Sequence, residues 1–250
     1  MEKIIANDFI TEVEGYSLKE IGDYLYGFKV GYPGSKVWNL ENSLEDDLGN
    51  SIFTNSAHYT FSTTSPKFGT YCLTSDGSAS AAIGTPVTTR MWQGGARSFT
   101  LSFWADFTFE NENLEAMMFQ LSAADTTKSQ ALRLTNDETE GVRLDMNDGS
   151  HTYYDVTLPP SSGWKHYAIM YDVNTSKVYW VVNDDYDEIS VNWISNAPNP
   201  DLVVNSSFYI LLEYYEDKAI GKFDDIMFQP TVCLGVDAMI EHYNADTPWE

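Results

Sequence analysis

The stretch that decides the fold covers residues 164–184 and reads WKHYAIMYDVNTSKVYWVVND. Two runs rich in Val, Tyr, Trp and Ile flank the polar segment 172–176. β-branched and aromatic side chains favour pleated strands, and Asn and Ser favour turns, so the stretch predicts a β-hairpin. Its second run, 178–182, carries large apolar side chains on both faces, which is typical of a strand inside stacked sheets. The hairpin therefore predicts a β-sandwich and favours recognition over catalysis.

Short strand candidates follow one another from Lys36 onward, separated by clusters of Gly, Pro, Asn, Asp and Ser. This spacing predicts an all-β, antiparallel sandwich, and the apolar residues of 236–243 recur at helical spacing, which predicts one short C-terminal helix. Within 98–107 the side chains alternate, with Phe99, Leu101 and Phe103 on one side and Ser102 on the other. The predicted strands are 36–40, 59–62, 70–74, 79–83, 98–107, 117–122, 131–135, 142–146, 153–158, 165–171, 177–182, 208–213 and 222–228.

The composition limits the classes of partner. The chain has 250 residues, 14% aromatic residues and a formal charge of −23. A body this acidic is repelled by phosphate backbones and by anionic membrane surfaces, so neither nucleic acid nor membrane is expected as a partner. It attracts cations, including Ca²⁺. The length suits a single sandwich or barrel domain with a sizeable core.

The N-terminus and the cysteines indicate where the protein is made. Residues 1–8 contain no long apolar run, so no signal peptide is expected, and no window approaches the roughly 20 apolar residues that span a bilayer. The chain is therefore expected to be made in the cytoplasm, which leaves later non-classical release open. Cys72 and Cys233 lie far apart in sequence and outside any C-x-x-C pattern. Free thiols are expected in a reducing compartment, and a disulfide is the alternative.

Residues 1–35 differ from the rest of the chain. Residues 16–25 predict a short helix that begins at Ser17, with Glu20 at the capping-box position and Gly22 as a weak point. The segment is either an arm that docks on a partner or a strand and loop that cover a sheet edge, and the sequence leaves both open.

The order of several motifs resembles the concanavalin A-like lectin/glucanase superfamily in its laminin G-like form. The resemblance covers residues 36–247 and implies a jelly-roll sandwich, whereas residues 1–35 match none of it. Relatives of this kind include lectins, carbohydrate-binding modules, adhesion domains, glucanases and phage structural proteins. The motifs are the opening strand with its Asp-x-Gly-Asn turn at 38–50, F-G-T-Y-C-L…D-G at 68–77, F-T-L-S-F-W at 99–104, G-W-K-H-Y-A at 163–168 and K-F-D-D-I-M-F at 222–228.

The resemblance also implies a structural Ca²⁺ where the opening turn meets the closing strand. The matching residues are Asp47 and Asp225, with Asn50 as a further ligand. Calcium takes several oxygen ligands, and the sequence does not show a full set. The alternative is that Asp47 caps a turn and Asp225 pairs with a backbone amide.

Catalytic patterns are not apparent in the sequence. Glucanases of this fold use an E-x-D-x-x-E strand that holds two carboxylates roughly 5 Å apart, and no such strand occurs here. The cluster at 184–188 has the character of a charged hairpin edge. The four His are scattered, and His166 falls within a predicted core strand. No catalytic residue is therefore predicted, and the protein is expected not to be an enzyme.

Exposed tryptophans would mark a sugar-binding surface. Trp104 and Trp164 lie within predicted strands and are expected in the core. Trp92, beside two glycines, and Trp193, in a polar loop, are the candidate ligand-binding residues.

The sequence thus predicts an N-terminal arm or docking segment at 1–35 and a laminin G-like sandwich at 36–250. The leading interpretation is a non-enzymatic recognition module of a larger assembly, namely a phage virion component such as a decoration, tail or receptor-binding protein. Its expected partners are other virion proteins, contacted through the arm, and a glycan, and it is expected to be oligomeric or part of a multi-protein assembly. The alternatives are a stand-alone bacterial lectin and a divergent glucanase.

Overall fold

The computed structural model describes residues 12–13, 16–17, 36–45, 47, 59–75, 83–87, 98–108, 116–122, 132–137, 141–147, 151–156, 163–190, 206–212, 220–229 and 232–249. Within these ranges the chain forms sixteen strands and one helix, α1 (Val236–Ala245). The strands are β1 (Glu12–Val13), β2 (Tyr16–Ser17), β3 (Lys36–Trp38), β4 (Tyr59–Ser62), β5 (Cys72–Ser75), β6 (Ile83–Val87), β7 (Phe99–Thr108), β8 (Ala116–Ser122), β9 (Leu132–Asp137), β10 (Gly141–Asn147), β11 (His151–Val156), β12 (Lys165–Asp172), β13 (Lys177–Val182), β14 (Asp185–Ser190), β15 (Ser206–Leu212) and β16 (Ile220–Gln229).

The strands pair antiparallel throughout. The eight-stranded sheet has the order β14-β13-β12-β7-β16-β5-β4, with β3 also paired to β16. The six-stranded sheet has the order β11-β10-β9-β8-β15-β6, and β1 pairs with β2 separately. This all-β antiparallel architecture with one short C-terminal helix confirms the predicted fold class.

Three local predictions differ from the structure. Tyr16–Ser17 pairs with Glu12–Val13 as a strand, where the sequence predicts the start of a helix, and residues 18–25 lie outside the described residues. Of the predicted strand 79–83, only Ile83 lies within the described residues, and it begins β6, which continues to Val87. Pro86 inside β6 argues against a strand because it lacks an N–H, but β6 is an edge strand, where the missing donor is tolerated. The third difference is β14, which the sequence analysis treated only as a charged edge.

The alternation predicted for β7 places its two faces in different environments. On one face, the Phe103 ring stacks on Tyr167 at 5.5 Å and contacts Phe223 at 5.6 Å, and Tyr167 in turn contacts Trp180 at 5.9 Å. All four rings are buried, so an aromatic core lies on this face of the eight-stranded sheet.

The opposite face of β7 carries the polar residues Thr100 and Ser102, which are buried because the C-terminal segment covers them. The Thr100 hydroxyl donates to the Val232 carbonyl at 2.8 Å and accepts the Leu234 N–H at 3.0 Å. Further along the chain, α1 packs Met239 into an apolar cluster with Met170 and Met227 of the sheet. The helix predicted at 236–243 is therefore confirmed, and it closes this face of the sheet.

A β-bulge in β16 places the side chains of two consecutive aspartates, Asp224 and Asp225, on the same side of the sheet. The register of β16 against β7 shifts between Asp224 and Met227, and Asp225 lies in the left-handed region with φ 48°. Neighbouring side chains on a regular strand point to opposite faces, whereas a bulge re-aims one of them. Both carboxylates consequently contact groups on the face that the C-terminal segment covers.

Both cysteines are free. Cys72 is buried in β5, and Cys233 is half-buried in the segment that leads into α1. The structure therefore agrees with the expected free thiols, and the alternative disulfide is wrong.

Candidate functional site

An open groove with a volume of about 840 Å³ runs between the β13–β14 hairpin and the start of α1. One wall comes from the hairpin, where Tyr179 lies opposite Glu188 and Val181 lies opposite Tyr186. This register places both tyrosines and the glutamate on the same face. Tyr186 is 54% exposed, the one exposed large hydrophobic side chain among the described residues.

The other wall consists of the C-terminal segment. Cys233, Leu234 and the first residues of α1 line it, followed one helical turn later by Glu241. The helix begins after Gly235, which has φ 91° and needs no side chain there, and Asp237 lies in the first turn. A carboxylate in that position is stabilised by the positive end of the helix dipole.

A polar turn closes one end of the groove. The Asp172 carboxylate accepts the Asn174 N–H at 3.0 Å and the Thr175 hydroxyl at 2.9 Å, which fixes the turn between β12 and β13. Ser98 also lines the groove and is only 8% exposed. Its hydroxyl oxygen accepts the Val173 N–H at 3.1 Å.

The groove is strongly acidic. Among the described residues that line it, four carry carboxylates and none carries a positive charge; the four are Asp172, Glu188, Asp237 and Glu241. Glu188 pairs with Lys177 at 2.6 Å, beside the groove. The site thus offers two tyrosine rings and many hydrogen-bond acceptors to a ligand.

Behind α1, on the same face of the sheet, lies a buried polar network. Asp225 accepts the Trp249 N–H at 2.8 Å through one oxygen, and His242 Nε2 lies 3.2 Å from the other oxygen. The His242 ring stacks on Trp249 with 3.8 Å between centroids, and His166 lies edge-on to it at 5.1 Å. Burial raises the pKa of Asp225, and the contact with His242 opposes that shift.

Ser102 and His166 form a pair of the type that activates a nucleophile, with 2.7 Å between Oγ and Nε2. Both side chains are fully buried, however, so a substrate does not reach them. Burial lowers the pKa of His166 well below its usual value, and neighbouring His242 and Lys67 act in the same direction. A neutral, buried His166 fits the structural role that the sequence predicts.

Asp224 fixes a loop rather than a ligand. One of its oxygens accepts the N–H groups of Lys67 and Phe68, each at 3.0 Å. Lys67 in turn lies 3.9 Å from the Trp104 ring centroid and pairs with Asp246 at the end of α1. Burial raises the pKa of Asp224 to about 7, and the neighbouring charge of Asp225 adds to this effect.

The calcium prediction concerns Asp47, Asn50 and Asp225. Asp47 is exposed and accepts the Asn39 N–H at 3.1 Å, while both oxygens of Asp225 already have partners. These contacts match the alternative of a turn cap and a backbone pairing, and they fit the oxygen-rich shell of Ca²⁺ poorly. No group of three or more His, Cys, Asp or Glu suited to a metal occurs in the described ranges. Asn50 lies outside them, so the calcium site stays a prediction.

The predicted ligand-binding residues Trp92 and Trp193 also lie outside the described residues. Trp104 is buried, as predicted, and Trp164 is half-buried with its ring N–H donating to the Ser65 carbonyl at 3.0 Å. The wall formed by Tyr179 and Tyr186 was not predicted from the sequence. The alternation of Tyr186 and Glu188 beyond the hairpin would have revealed it.

Comparisons with solved structures find similar folds among toxin binding domains. A structure concerning botulinum neurotoxin type C, whose cell entry depends on two ganglioside molecules, has a TM-score of 0.63 and 13% identity over 85% of this chain and 50% of its own. The binding domain of botulinum neurotoxin DC in complex with rat synaptotagmin II has a TM-score of 0.65 and 14% identity over 85% and 51%. The binding domain of Paraclostridial Mosquitocidal Protein 1 has a TM-score of 0.66 and 12% identity over 85% and 52%.

At these identities the likeness shows the fold alone, and the chain spans about half the length of the structures it matches. Neither a family model nor a curated protein matches the sequence. None of the helical residues described here forms a segment long and apolar enough to cross a membrane.

The buried carboxyl of Asp224 generates a testable pH dependence. Its pKa of about 7 in the folded state lies above the usual value near 4, so the folded chain holds a proton that the unfolded chain releases between these values. This contribution to stability is complete below about pH 4 and is lost as the pH rises to about 7, at up to about 1.4 kcal/mol per pH unit. Asp224→Asn, which keeps an acceptor oxygen without the charge, should reduce that loss.

The measurement is urea unfolding of both proteins between pH 4 and pH 8. Other buried groups also make the free energy of unfolding depend on pH: Asp225 acts in the same direction as Asp224, and His166 acts in the opposite direction. The readout is therefore the difference between the pH profiles of the wild type and of Asp224→Asn. The exposed Asp184→Asn serves as the matched control and should follow the wild type. Parallel profiles for Asp224→Asn and wild type would contradict the assignment.

Proposed function

We propose that this chain is a non-enzymatic recognition module of a larger assembly and that it binds a glycan in the groove between the β13–β14 hairpin and α1. The observation that carries the proposal is that exposed Tyr186 and half-buried Tyr179 lie on the same face of the β13–β14 hairpin and both line the groove. Large apolar side chains at the surface mark binding sites when they line a concavity.

The chemistry of the walls suits a sugar. A sugar ring presents an apolar C–H face that packs on an aromatic ring, and its hydroxyls donate to carboxylate and carbonyl oxygens. Tyr179 and Tyr186 supply the rings, and the acidic side chains supply the acceptors. Ser98 also lines the groove, and its hydroxyl oxygen accepts the Val173 N–H.

Three observations support a binding role over a catalytic one. The Ser102–His166 pair is sealed inside the protein. The Asp172 carboxylate accepts hydrogen bonds within its turn, and Glu188 forms an ion pair with Lys177, so neither is free to act as an acid or a nucleophile. Some of the proteins of similar fold are described by what they bind, a ganglioside in one case and synaptotagmin II in another.

We further propose the concanavalin A-like, laminin G-like assignment for this sandwich. It is supported by three of the five family-like motifs, which lie on adjacent strands of the eight-stranded sheet. The motif at 99–104 lies on β7, the motif at 163–168 leads into β12, and the motif at 222–228 lies on β16. The closing motif supplies the two aspartates of the bulge.

For the assembly itself, we propose a phage virion. The support is the family resemblance, which includes phage structural proteins, together with thiols that remain free. In this proposal residues 1–35 contact other virion proteins, and the groove faces the glycan.

The glycan proposal predicts that Tyr186→Ala weakens binding by about tenfold or more, because stacking on one ring contributes on the order of 1–2 kcal/mol. Tyr186→Phe keeps the ring and should retain most of the affinity. A glycan array identifies the ligand, and calorimetry then compares the variants. Asn244→Ala, an exposed change at the far end of α1, is the control. A ligand that binds wild type and Tyr186→Ala equally would place the site elsewhere.

The virion proposal predicts that a protein starting at Lys36 folds but does not join its parent particle, because the arm carries the contacts. Far-UV circular dichroism reports folding, and particle purification followed by immunoblotting reports incorporation. Normal incorporation of the shortened chain would show that residues 1–35 are not the anchor. Failure to fold would show that they belong to the sandwich.

A further inference from the structure

The groove has one feature that a neutral sugar does not explain. Asp237 and Glu241 are four residues apart on α1, so their side chains lie on the same side of the helix. Both carboxylates line the groove. None of the described residues forms an ion pair or a hydrogen bond with either of them. Like charges at this spacing destabilise a helix, and a cation between them would relieve the repulsion.

The opposite wall of the groove, formed by the β13–β14 hairpin, also carries a negative charge. Glu188 is 50% exposed at its side chain and shares the groove with the two helix carboxylates. Its partner, Lys177, lies outside the groove lining, and none of the described residues that line the groove carries a positive charge, so the described lining leaves that charge to the ligand. The net charge of −23 adds a long-range attraction for a positively charged molecule.

The other lining groups show that a bare cation is not the whole ligand. Tyr179 and Tyr186 form an apolar surface beside the carboxylates, and Ser98, 8% exposed, lines the groove with a hydroxyl whose oxygen accepts the Val173 N–H. A ring with an apolar face, a hydroxyl or ring oxygen and a positive charge satisfies all three kinds of group at once.

From this combination, and resting on the proposed glycan function, we infer that the groove binds a glycan that carries free amino groups, of the glucosamine type. The sugar ring packs on the tyrosines, and its ammonium group pairs with Asp237 and Glu241. Glycans that carry carboxylate or sulfate groups are excluded, because the carboxylates of Asp237 and Glu241 repel them and no cation lines the groove among the described residues.

Cys233 provides a local reporter for the test. Its thiol is free and lines the groove, whereas the other cysteine, Cys72, is buried. Alkylation of Cys233 in the full chain should therefore proceed without ligand and should slow when the groove is filled. Failure of Cys233 to react in the free protein would show that the groove is closed and would overturn the inference.

The experiment compares three tetrasaccharide-sized probes: a β-1,4-linked glucosamine tetramer, its fully N-acetylated counterpart and a sialylated oligosaccharide. The glucosamine tetramer should protect Cys233 and bind at least tenfold more tightly than the N-acetylated form, with affinity falling as salt rises from 0.05 to 0.5 M. The sialylated probe should not protect. In the double variant Asp237→Asn/Glu241→Gln, the preference for the amino form should disappear, whereas Asp184→Asn should keep it.

The outcomes separate this inference from the proposed function. Equal binding of the amino and N-acetylated tetramers, with Cys233 protected by both, keeps the glycan site and overturns the inference about charge. Binding that the double variant leaves unchanged also overturns it. Protection of Cys233 by oligolysine with the same affinity as the glucosamine tetramer overturns it too, because charge alone would then suffice. Protection by no glycan on a broad array contradicts the proposed function itself.

Discussion

The arrangement of the C-terminal part of the chain depends on one buried carboxylate, Asp225. A charged group loses several kcal/mol of hydration on burial unless it finds hydrogen-bond partners. Asp225 finds both of its partners in the C-terminal segment, namely the Trp249 N–H and His242. The C-terminal segment is therefore held against the sheet by the Asp225 carboxylate, whose burial would be unfavourable if the segment did not supply its hydrogen-bond partners. The bulge in β16 is what aims this carboxylate at the segment.

The groove follows from that attachment. Because α1 packs against β12, β13 and β16, it leaves β14 uncovered, and the space between α1 and the β13–β14 hairpin is the groove. The buried polar network of Asp225, His242 and Trp249 faces the protein interior, while Asp237 and Glu241 face the groove. One short helix thus carries a structural face and a binding face, which explains why its polar residues differ so much in burial.

The sequence predicted the sandwich well because its signals are local. Alternation in 98–107, the hairpin at 164–184 and the helical spacing of 236–243 each depend on neighbouring residues, and each is confirmed. The site was harder to predict because it joins residues far apart in sequence. Tyr186 and Glu241 line the same groove only because α1 packs on the sheet, and no local sequence pattern encodes that packing. The family resemblance suggested Asp225 as a calcium ligand, and neither the bulge that aims its carboxylate nor the remote Trp249 N–H that it accepts is visible in the sequence.

The central claim is that ligand binds between the β13–β14 hairpin and the start of α1. Hydrogen–deuterium exchange of the full chain, with and without a bound glycan, tests it most directly, since backbone amides at a contact exchange more slowly when the ligand orders them. The account predicts that protection is concentrated in peptides covering residues 172–190 and 232–241. Protection concentrated around Trp92 or Trp193, with those two regions unchanged, would contradict it.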